Sequence, residues 1–95
     1  MSNRNNPAAH VVEREGFAEI TLTRSRKIDG MDTAVVRMRE PTVADMERFQ
    51  ESAGSEAQRE VVMIANLCEI SPDALREFPL RDYQRMQAGF AVFTN

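Results

Sequence analysis

The stretch Met38-Arg39-Glu40-Pro41-Thr42-Val43-Ala44-Asp45-Met46 divides the chain into two kinds of structure. Apolar and polar residues alternate up to Arg39, and Pro41, which has no N–H to give a ladder, stops the strand. Thr42 then stands as a helix N-cap, with Asp45 three residues on as a short version of the capping box, so a helix begins near Val43.

Upstream of this junction, Ala18, Ile20 and Leu22 alternate with Glu19, Thr21 and Thr23, the period of a strand with one buried face. Ala34, Val36 and Met38 repeat the pattern against Val35, Arg37 and Arg39, after Asp29-Gly30, a dipeptide suited to positive φ in a turn. The pattern predicts an antiparallel β-hairpin over 17–40. Arg24, Arg26 and Lys27 lie on the approach to the turn, so the connection reads as longer than two residues and the strand register stays open. Residues 1–16 show no apolar periodicity and read as a disordered tail.

Downstream, Val43, Met46, Phe49 and Ala53 fall at helical spacing, with Asp45 and Arg48 as an ion pair on the other side, and Gly54 ends the helix. Ser55 caps the longest helix, with Gln58 in the capping-box position, and its broad apolar surface (Val61, Ile64, Ala65, Leu67, Cys68) marks it as the core element. Ser71-Pro72-Asp73 opens a short helix, which Pro79 breaks. A last helix carries Leu80, Tyr83, Met86, Phe90 and Phe93 at spacings of three or four, with Glu77 and Arg81, and Asp82 and Arg85, as local pairs. Strands followed by helices define an α+β fold: an N-terminal antiparallel hairpin, then a small bundle of three to four helices over 43–93, in one domain spanning 17–95.

Chemistry is sparse. The chain has 95 residues, 12 Lys and Arg against 15 Asp and Glu, one Cys, one His and four Gly. His10 falls in the expected tail, away from any nucleophile, and Cys68 sits on an apolar helix face where a thiol is unreactive. No glycine-rich phosphate loop or metal-ligand spacing occurs, so the sequence predicts a protein that is not an enzyme and has no cofactor or metal. Residues 40–95 hold ten acids against five Lys or Arg, a poor partner for phosphate backbones. The basic cluster Arg24-Ser25-Arg26-Lys27 reads as a solvated loop. No apolar run is long enough for a membrane span, nor do the first residues form a secretory signal, so a cytoplasmic location is expected. The six Met and the row Tyr83, Met86, Phe90 and Phe93 point instead to a protein that acts by contact, with these four as the expected partner-binding residues.

The segment Met38 to Met46, with Ile70-Ser71-Pro72-Asp73-Ala74-Leu75 and Leu80-Arg81-Asp82-Tyr83, resembles the tail assembly chaperones of contractile-tailed phages and Mu-like prophages. The likeness runs from about Ile20 to Phe90 and rests on the order and spacing of these segments. Met38 stands where the family favours Leu, Glu69-Ile70 where Thr-Gly is common, and the N-terminal tail is longer. The resemblance implies a non-enzymatic protein that binds the tape measure protein in the host cytoplasm before tail-tube subunits polymerise around it, acts in several self-associating copies and is left out of the mature virion. It also implies that a longer frameshifted product can exist. The alternatives from other classes are a small phage regulatory protein that binds DNA through Arg24, Arg26 and Lys27, and a tail-completion subunit retained in the virion.

Overall fold

A computed structural model describes residues 6–94. Three antiparallel strands, β1 (Val11–Arg14), β2 (Phe17–Ile28) and β3 (Met31–Arg39), form a sheet in the order β1-β2-β3. Four helices follow: α1 (Val43–Glu51), α2 (Glu56–Cys68), α3 (Pro72–Arg76) and α4 (Leu80–Ala91). The fold is α+β, with the strands first and the helices after, as the alternation and capping signals predict.

The hairpin differs from expectation in its turn. Ile28 pairs with Met31, so the connection is the two residues Asp29 and Gly30, at φ 49° and 85°. Positive φ at both positions matches the twist of the flanking strands. Ser71 holds Asp29 in this strained conformation, its backbone N–H donating to Oδ2 at 2.9 Å and its hydroxyl to Oδ1 at 2.7 Å. The basic stretch that reads as a loop instead continues β2. Pairing runs from Phe17↔Arg39 to Thr21↔Val35 and resumes at Arg26↔Thr33, leaving four β2 residues opposite Ala34 alone. This bulge breaks the period-two pattern.

Residues 7–14, read from the sequence as part of a tail, form a 3-10 turn (Pro7–His10) and β1. β1 pairs with the first third of β2 from Val11↔Ile20 to Arg14↔Phe17 across a turn at Glu15-Gly16. Backbone hydrogen bonds to β2 and the seating of Val11 against the core hold a segment whose side chains are mostly polar; so short a strand shows little periodicity. The part of that reading covering residues 1–5 lies outside the described residues.

α2 and α4 cover the inner face of the sheet. Ile20, Met38, Ile64, Leu67, Leu75 and Met86 are the large apolar side chains with almost no exposure. Gly89 lets α4 approach β2 closely: a Cβ there would stand 2.6 Å from Ile20 Cδ1. Both expected capping boxes form, Thr42 with Asp45 and Ser55 with Gln58. Glu69 at φ 56° closes α2, and Ser71 with Pro72 opens α3.

A candidate partner-binding groove

α1 is seated the opposite way round from its apolar pattern. Its one buried residue is Asp45, while Val43 is 71% and Met46 51% exposed. The Arg39 guanidinium grips both carboxylate oxygens of Asp45 at 2.7 and 2.8 Å, Arg48 adds a bond at 2.9 Å, and the Thr42 backbone N–H donates at 2.7 Å. A bidentate pair of this kind fixes orientation as well as position. It holds the Asp45 carboxyl well below the usual carboxylate range, Arg39 being the main cause. The end of α1 is held from α2, where Arg59 lies 5.1 Å from the Phe49 ring centroid and reaches the Phe49 carbonyl at 3.4 Å. The strand-end arginine and the capping acid thus pull the polar side of α1 inward and leave its apolar side uncovered.

That side forms one wall of a groove of about 570 Å³. Val43, Met46 and Phe49 of α1 face Met63 and Ile64 of α2 and, across the opening, Phe90 of α4 and Phe93 in the turn just beyond it. The polar residues in the wall include Glu60 and Gln87. Glu60 Oε1 accepts from the Tyr83 hydroxyl at 3.0 Å and from Gln87 Nε2 at 2.8 Å. Burial, with the Glu60 carboxylate beside it, pushes the Tyr83 hydroxyl above its ordinary range.

The four residues expected to bind a partner are therefore divided. Phe90 and Phe93 line the groove. Tyr83 is partly buried behind it, joined to the wall through Glu60. Met86 is fully buried and belongs to the core, because its position on α4 turns it toward the sheet. The helical spacing of Val43 and Met46 marks an apolar face without showing whether it is covered, and the Arg39–Asp45 pair that leaves it exposed spans two elements. The sequence signal for it is an arginine at the strand end six residues before the capping acid.

Other candidates disperse. The basic cluster does not present three cations together: Arg26 lies 5.4 Å from the Phe78 ring centroid and donates to the Glu77 carbonyl, and Lys27 pairs with Asp32. The expected pair of Asp82 with Arg85 is replaced, since Asp82 takes the bulged Thr23 and Arg85 donates to the Thr21 carbonyl at 2.8 Å. Cys68 is buried, and burial pushes its thiol up to about 12. His10 lies in the 3-10 turn, beside a surface cleft with Thr21, Arg81 and Arg85. Among the described residues no three His, Cys, Asp or Glu side chains converge as a metal site, and no helix is long and apolar enough to cross a membrane.

The site defined by the fold is thus an apolar groove left uncovered in a small α+β domain. The model of the family described as phage tail assembly chaperone proteins, E, or 41 or 14, matches residues 19–95, and the chain belongs to that family. The matched region contains every residue of the groove. Searches of curated proteins and of solved structures returned no match.

Proposed function

We propose that this chain is a non-enzymatic tail assembly chaperone that binds the tape measure protein in the host cytoplasm, and that the groove between α1, α2 and α4 takes apolar helical segments of that protein. The observation that carries the reading is the exposed apolar side of α1 facing Phe90 and Phe93. The exposed Val43 and Met46 beside the half-buried Phe49, Phe90 and Phe93 in a concave surface suit an amphipathic helix, whose own apolar stripe would otherwise promote aggregation. Repeated copies along a long helical partner would gain avidity from repetition, and self-association among neighbouring copies would add to it. Of the four expected contact residues, Phe90 and Phe93 touch the partner directly, Tyr83 supports the wall through Glu60, and Met86 belongs to the core and makes no contact with the partner.

Co-expression with the tape measure protein of the same phage, followed by size-exclusion chromatography with light scattering, tests this. A soluble complex with several copies of the chain per partner is the expected result. A folded chain that never co-elutes while the tape measure protein precipitates would overturn the reading. Mass spectrometry of purified particles is expected to find the chain absent.

A further inference from the structure

One charge in the groove is left without a counter-charge by the fold. Glu60 rises from α2 into the wall, and its two hydrogen bonds come from neutral donors, Tyr83 and Gln87, one turn apart on α4. No ion pair to Glu60 forms among the described residues, and no Lys or Arg lines this groove. The other acid in the lining, Asp45, is already engaged by Arg39 and Arg48. A neighbouring cleft shares Asp45, Phe49 and Met63 with the groove and adds Arg48 and Arg59, so the arginines near α1 line that cleft and not the wall that holds Glu60. Glu60 is half-buried and shares the groove lining with Met63, Phe90 and Phe93, and a carboxylate partly withdrawn from water attracts a cation more strongly than one on open surface. The two donors from α4 fix its position, so its orientation is set before a partner arrives.

We infer that Glu60 is the specificity-determining residue of the groove: the occupant is an apolar helix that carries a Lys or Arg within its apolar stripe and seats that cation on the Glu60 carboxylate. This rests on the reading of the groove as the tape measure site. An occupant without the cation leaves Glu60 half-shielded from water and unpaired, so discrimination comes from that penalty as much as from the pair itself.

The test uses tiled peptides of about 20 residues, roughly 30 Å of helix, covering the tape measure protein, titrated by fluorescence anisotropy against the full chain and its Glu60→Gln variant. Glutamine keeps an acceptor for Tyr83 and Gln87, and thermal unfolding checks that the variant is folded. The expected result is that binding peptides carry Lys or Arg one turn from their apolar anchors. Glu60→Gln should then weaken them about tenfold and flatten their salt dependence. Changing the peptide's cation to Gln should weaken wild-type binding as much and add nothing in the variant. That peptide substitution also keeps the test valid if the protein variant fails to fold. Equal binding by wild type and Glu60→Gln, or binding peptides that lack a cation, would overturn this inference alone. Failure of every peptide to bind wild type would overturn the groove reading, and this inference with it. Concentration-dependent self-association that Glu60→Gln abolishes, measured by light scattering of the chain alone, would assign the groove to a second copy and also overturn it.

Discussion

Asp45 and Asp82 are the buried charged side chains among the described residues, and both serve structure. Asp82 accepts the backbone N–H and the hydroxyl of Thr23, at 2.8 and 3.1 Å, where the bulge has interrupted pairing with β3. Hydrogen bonds to a charged acceptor are worth about 1.5–3 kcal/mol, so Asp82→Ala is expected to lower stability by about 2 kcal/mol, read from urea midpoints. Asp45 has a depressed folded pKa, so its contribution is fully present above the unfolded value of about 3.9 and is lost as pH falls below it toward the folded value. Wild type should therefore lose stability faster than Asp45→Asn below about pH 4. Urea titrations at neutral and acid pH check the sign, and parallel acid losses would mean that Arg39 and Arg48 contribute little through charge. The capping role of Asp45 and its pair with Arg48 were legible in sequence, whereas its burial and its pairing with Arg39 were not, and Asp82 reads only as half of a local pair with Arg85. For Asp82 the actual partner lies 59 positions away.

At the scale of elements, helices that are locally specified were legible and those positioned by distant contacts were not. The boxes at Thr42 and Ser55 and the Ser71-Pro72 start fix where helices begin, because each is closed within four residues. The facing of α1 depends on Arg39 in β3, and the end of the hairpin on Ser71 beyond α2. α1 buries no apolar side chain, so its amides are expected to exchange faster than those of α2 and to become protected when the tape measure protein binds. Met46→Ser should change stability by less than about 0.5 kcal/mol while weakening partner binding. Met86→Ala should cost about 2–5 kcal/mol through its cavity in the core, measured by denaturant unfolding. Gly89→Ala places a methyl against Ile20 and should cost about 1–3 kcal/mol, despite the better helix propensity of alanine.

For the molecule as a whole, the α+β order followed from the junction at Pro41-Thr42, and half of the groove followed from the apolar row of α4. The other half was hidden because a sequence pattern marks an apolar face without saying whether the fold covers it. Val43 and Met46 have the same spacing as core residues, and only the placement of α1 over α2 leaves them open. Function in this account belongs to that uncovered side, joined to Phe90 and Phe93 across the groove. The most direct measurement installs a photo-crosslinking residue at Met46, at Phe93 and, as a remote control, at Arg24, in cells that also produce the tape measure protein. Crosslinks to the tape measure protein from positions 46 and 93 and none from 24 are predicted. Crosslinks from 24 alone, or none from 46 and 93 in a complex that co-purifies, would contradict the assignment of the groove.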